Sequence, residues 1–238
     1  MIKNFWRPAV PALLLVAAAA AAPEGTIEYW VTGVEGKLFR ETPRGEERLA
    51  AGAELRSGET VATGRRSSAD LTAPEFGSLF HLGSRTRVVL AADTPGVLLR
   101  LEKGRLRALF EELVGRPETE RRIETPSAIL AVRGTEYGVE VGGSGHTTLV
   151  VFSGVVEVFD RARRGAPVRV EAGYTVRVRR GRAPGAPRPH DLTQRSWDRG
   201  AMPGARGMSP GTGSAGSPGA TGAGQGRRGG GGSRRHGG

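Results

Sequence analysis

The sequence predicts an all-β fold, and three observations carry that prediction. From Thr26 to Arg180 the chain is a string of short segments in which apolar and polar residues alternate, each closed by glycine or a polar turn. Helical periodicity is almost absent over the same range. Aromatic residues make up only 5% of the chain and hydrophobic ones 37%, so the core must come from Val, Leu, Ile and Ala, which favour strands when they alternate. The 38 Gly and 15 Pro crowd toward the C-terminus, which leaves core enough for one domain. Its predicted form is a single solenoid-like, roll or sandwich domain with a disordered Gly/Arg-rich tail.

The chain opens on "MIKNFWR", with Lys3 and Arg7 ahead of the apolar run Pro8–Ala22 that closes in alanines. That is the layout of a signal peptide over residues 1–22. The run is shorter than the roughly 20 apolar residues a spanning helix needs, and Pro8 and Pro11 interrupt its first half. Cleavage among Ala18–Ala22 leaves no transmembrane span and an exported protein, periplasmic or extracellular in a bacterium; an uncleaved leader would be an anchor.

Residues 26–180 form the predicted β domain. Its candidate strands are 26–34, 37–42, 59–64, 68–73, 78–83, 85–91, 96–102, 105–110, 121–126, 128–132, 136–141, 146–152, 155–160, 167–172 and 175–180. An aliphatic residue recurs three positions before a turn glycine, in Leu49/Gly52, Leu55/Gly58, Leu101/Gly104, Val151/Gly154 and Val170/Gly173. Glycine supplies the positive φ that tight turns between strands demand. The spacing of these pairs is irregular, so no strict repeat is implied. "ALFEELVG", residues 108–115, reads as a short helix or as a strand end and loop. The Pro/Arg-rich stretch 181–199 reads as a boundary linker, and residues 200–238 bury too little apolar surface to order themselves.

The formal net charge of +11 is unevenly placed. Lys3 and Arg7 give the leader +2, and eight Arg against Asp191 and Asp198 give +6 from Gly185 onward, which leaves +3 for the residues between. The basic character belongs to the tail, so specific nucleic-acid binding by the domain is not implied. The tail's spaced Arg pairs attract polyanions regardless of sequence, and an exported chain meets anionic surface polymers first.

The absence of cysteine excludes disulfides, zinc-thiolate sites and a cysteine nucleophile. His81, His146, His190 and His236 share no ligand spacing, so neither a metal nor another cofactor is expected. No Gly-x-Ser-x-Gly elbow is present, and Glu111 and Glu112 read as a solvated face. The composition points away from an enzyme.

The most informative stretch is "TPSAILAVRGTEYGVEV", Thr125–Val141, in which Arg133, Gly134, Thr135, Glu136 and Tyr137 interrupt two alternating arms. A glycine inside a strand pattern marks a bulge or bend. Arg133 would then pair with Glu136 or bond backbone carbonyls at the bend; alternatively Arg133 and Tyr137 are anchors for a partner. Together with "TTLVVFSGVVEVF" and "VEAGYTVRV", and with the upstream pattern at Gly52, Leu55, Gly58, Val61, Thr63 and Gly64, this closely resembles the FecR domain family. The resemblance covers about residues 26–180.

That resemblance implies a β-rich extracytoplasmic domain engaged in protein–protein signalling. In the best-known members a cytoplasmic helical region controls a sigma factor through one transmembrane helix. Only 25 residues precede Thr26 here, and the Arg-Gly tail stands where the family carries a short receptor-contact domain, so a stand-alone secreted form is expected. The leading expectation is a non-enzymatic module binding an envelope protein or an anionic surface polymer. The alternative is a sensory input for a separately encoded transmembrane regulator; a hydrolase of wall glycans ranks last, for want of paired carboxylates.

Overall fold

The computed structural model describes residues 27–90, 94, 96–112 and 121–203. The predicted leader, the tail from residue 204 and the end of the 108–115 segment lie outside them.

Fifteen strands form in chain order. They are β1 (Glu28–Glu35), β2 (Leu38–Thr42), β3 (Gly45–Leu49), β4 (Glu54–Arg56), β5 (Thr60–Thr63), β6 (Ser68–Ala73), β7 (Ser78–Leu82), β8 (Arg87–Leu90) and β9 (Val97–Phe110), followed by β10 (Arg121–Glu124), β11 (Ala128–Val141), β12 (Thr147–Asp160), β13 (Val168–Glu171), β14 (Tyr174–Val178) and β15 (Arg188–Pro189). A single helical turn and a half, α1 (Gln194–Asp198), follows. The all-β prediction therefore holds. All strands belong to one open, mixed sheet in which β9–β10 is the parallel pairing among the described residues. Such antiparallel pairing is not the stacking of solenoid rungs.

Three long strands tie the sheet together. β9, β11 and β12 each run for 14 residues and each take part in two arms of the sheet. In one arm, β9 up to Lys103 pairs with β8 and β10, and β11 up to Arg133 pairs with β10 and with β12 beyond Gly154. In the other, β9 from Gly104 pairs with β7 and with the second half of β11, which continues through β12 to β14. The sequence pattern splits each of these strands in two because the bend breaks the alternation. Both arms contribute to one core, which takes Val88, Leu99 and Val158 from the first and Phe80, Phe110 and Val176 from the second.

The residues 108–110 of "ALFEELVG" complete β9, in keeping with the strand-end reading. The stretch 181–199 is more than a linker. Arg188 and Pro189 pair with β14, and Trp197 of α1 is fully buried against the sheet. Thr193 starts α1 with a reciprocal capping box to Ser196. Folded structure thus continues about 20 residues past the last candidate strand.

Candidate functional site

The Arg133–Glu136 segment is where β11 passes from one arm to the other. Its pairing with β12 slips between Arg133 and Glu136, which is a bulge, and Gly134 takes a φ of 54°. Thr135 is buried, and its single hydroxyl proton lies between the carbonyls of Arg133 at 2.9 Å and Val155 at 3.0 Å. On the neighbouring strand Gly154 has a φ of 75°, and a Cβ there would stand 2.6 Å from the Gly134 carbonyl oxygen. The two bends nest, which requires a residue without a side chain at 154.

Tyr137, one residue on, turns inward. It is fully buried and stacks on Phe110 with ring centroids 5.9 Å apart and planes at 14°. Its hydroxyl finds no hydrogen-bond partner, and burial pushes its pKa well above the ordinary phenol value. Tyr137 is therefore a core residue and not a surface anchor. Glu136 faces outward, and its partners include Arg107 at 3.1 Å and the Gln194 side-chain amide at 3.2 Å. Arg133 itself is exposed at the rim of the bend.

Gly52, Gly58 and Gly173 sit in tight turns with positive φ. Gly104 has a φ of 92° and a close approach to Thr86, whose Cα would lie 2.5 Å from an added Cβ; it is the bend of β9. Gly64 differs, since its backbone lies outside the left-handed region and it is placed instead by packing against Ser67 and Lys37. These glycines are spread along the sheet, and only Gly154 meets the Arg133–Glu136 bend.

What the sequence reading missed is the partner of that bend. The outer face of β9 and β11 is covered by the C-terminal strap, residues 183–203. Trp197 lies flat on Gly138, where an added Cβ would stand 2.4 Å from the indole ring. Arg105 stacks its guanidinium over the same ring, 4.5 Å from the centroid, and donates to the carbonyls of Trp197 at 2.7 Å and Ala201 at 3.1 Å while pairing with Glu140. Arg107 joins Asp198 of α1 to Glu136 of the bend. Two signals were available: an isolated glycine in a strand pattern marks close approach of another group, and a lone tryptophan in a polar stretch needs somewhere to go.

On the same face, register aligns Trp30, Thr72, Leu79, Leu109 and Glu136 across β1, β6, β7, β9 and β11. Trp30 and Leu79 are 38% and 42% exposed, so an apolar row runs over the sheet to the bend. Beside it His81 bonds Asp70 at 2.7 Å, and that hydrogen bond raises the imidazole pKa despite partial burial. His190 packs edge-on to Phe152. Among the described residues no group of three or more His, Asp or Glu side chains converges to hold a metal ion.

Residues 59–157 match the family model described as FecR protein. Two crystal structures, each described as of a candidate anti-sigma factor from Parabacteroides distasonis ATCC 8503, are similar to the chain at 18% identity and a TM-score of 0.48. The likeness covers 59% of this chain and 65% and 64% of those two, less than two thirds of their length. No curated protein matches the chain.

Proposed function

We propose that the protein is a non-enzymatic, extracytoplasmic binding module of cell-envelope signalling, a reading supported by the match of residues 59–157 to the FecR family model. Its binding surface is the outer face on which Trp30 and Leu79 lead to the Arg133–Glu136 bend. The observation that carries this reading is the exposed apolar row itself. Large apolar side chains aligned on a sheet face and rimmed by charge, here Arg107, Glu136 and Arg133, fit the anatomy of a protein interface. The bend fixes the end of that row. Bulge geometry, the Thr135 hydroxyl and the Gly154 notch hold it, so Arg133 and Glu136 are presented from a rigid base.

The partner on this face is a protein. Export is supported by the charged and apolar leader, and among the described residues no helix is long and apolar enough to cross a membrane. A photoreactive amino acid at position 79 in growing cells tests the reading. The expected result is one discrete crosslinked envelope protein, lost when Trp30 is replaced by Glu; crosslinking indistinguishable from that of a probe at the exposed Glu46 would refute it. If the captured protein is a transmembrane regulator, the domain is its sensory input.

A further inference from the structure

A second surface lies at the other side of the strap. Between β12, β14 and the strap is a cleft of about 550 Å³, lined by Arg177, Arg179, Arg182 and Arg188. No Asp or Glu lines it, and none of the four arginines forms a salt bridge among the described residues. Arg177 stands opposite Thr148 in the β12–β14 register, and Arg188 opposite Thr175. Arg179 and Arg182 are held together by the turn in which the Arg182 amide donates to the Arg179 carbonyl at 3.0 Å. Thr148 is buried in the cleft wall, and its hydroxyl has no hydrogen-bond partner. Several arginines elsewhere on the domain are neutralised, as Arg87 is by Glu41, Arg100 by Glu124 and Arg105 by Glu140.

Four like charges gathered around one concavity repel one another, and an anion seated among them removes that repulsion. Guanidinium forks suit the paired oxygens of phosphate. The cleft is larger than one ion requires, which favours a chain carrying several charges. No aromatic ring lines it, so nucleic-acid bases would have nothing to stack on, and its walls of Ala, Gly and Pro offer no apolar wedge for a lipid bilayer. We propose that this cleft binds a polymer of closely spaced phosphate groups without bases, its successive phosphates bridging Arg177, Arg179, Arg182 and Arg188. The site is separate from the apolar row, and either can fail without the other.

The test uses the full chain with inorganic polyphosphate of defined length, titrated over a range of salt concentrations. Arg179→Gln with Arg182→Gln removes two exposed guanidiniums, and an unchanged melting curve without ligand verifies that the variant is folded. A second variant replaces Arg227, Arg228, Arg234 and Arg235 of the tail by Gln, and a third combines both sets. The expected result is a loss of about tenfold in affinity from the cleft substitutions in both backgrounds. The slope of log affinity against log salt should fall by about 0.7 for each phosphate contact removed, roughly 1.4 for the pair. Binding unchanged by the cleft substitutions in either background would overturn the proposal. So would a thymidine oligonucleotide or vesicles of anionic phospholipid binding more tightly than polyphosphate through the same arginines.

Discussion

Replacing Gly138 by Ala should release the C-terminal strap while leaving the sheet intact. The added methyl would stand 2.4 to 2.7 Å from three atoms of the Trp197 indole, far inside contact distance, and the ring is pinned from above by Arg105. The indole must leave. A buried tryptophan covers some 150–250 Å², which at about 25 cal/mol per Å² corresponds to roughly 4–6 kcal/mol of burial. The measured cost of truncating such a residue is about 3–5 kcal/mol. That is an upper bound for the loss, since the strap can detach without unfolding the core. Trp197→Ala should cost a similar amount. In its background Gly138→Ala should be neutral within about 0.5 kcal/mol, because the clash no longer has a partner. Denaturant unfolding of the four proteins, with amide exchange of residues 190–201, completes the cycle. The strap amides should lose protection in both single variants. If Gly138→Ala costs the same with and without Trp197, the glycine serves the strand backbone and not the indole.

Other consequences follow from the same contacts. Gly154→Ala forces a left-handed φ on a residue with a side chain and drives its Cβ into the Gly134 carbonyl, so it should cost about 2 kcal/mol or more by thermal unfolding. Thr135→Val removes the hydroxyl bridge between Arg133 and Val155 and should lose about 1–3 kcal/mol, with Thr135→Ser recovering most of it. Burial alone would raise the Glu124 pKa, but hydrogen bonds from Arg161 and Arg100 hold its carboxyl below the usual range. Its contribution is present above the unfolded-state pKa and is lost as pH falls through the folded one. Glu124→Gln should therefore flatten the acid limb of the stability–pH curve. The hydrogen bond to Asp70 raises the His81 pKa, so that pair stabilises most below the ordinary imidazole pKa and fades as pH rises through the folded value. The His81 ring signals should titrate above the ordinary imidazole pKa, and Asp70→Asn should bring them back toward it.

The strands that alternate cleanly were legible because each buries one face. β6 and β7 place every second residue in the core, as their sequences "SADLTA" and "SLFHL" announce. β3 was not legible, because "GEERL" is exposed along nearly its whole length and only its register with β2 makes it a strand. The long strands read as pairs of short ones for a physical reason. A bulge or a left-handed glycine shifts the inside–outside phase, and a period-two pattern stops there. At the site, Gly134 was visible as a break in the pattern, but the direction of its neighbours was not. Tyr137 carries the residue type of an interface anchor and is buried in the core. Gly138 and Trp197, 59 positions apart in the chain, become one contact only in the folded molecule. The apolar row was invisible for the same reason, since Trp30 and Leu79 are aligned by the register of three strands.

The central claim, that the bend is scaffold and the apolar row beside it is the binding surface, is tested most directly by measuring stability and partner capture together in Leu79→Glu and Thr135→Val. The account predicts that Leu79→Glu melts as the parent does, within the about 0.5 kcal/mol usual for exposed positions, yet no longer captures its envelope partner. Thr135→Val should lose stability and keep capture at temperatures where it remains folded. Capture that survives Leu79→Glu, or that is abolished by Thr135→Val in a fully folded protein, would contradict it.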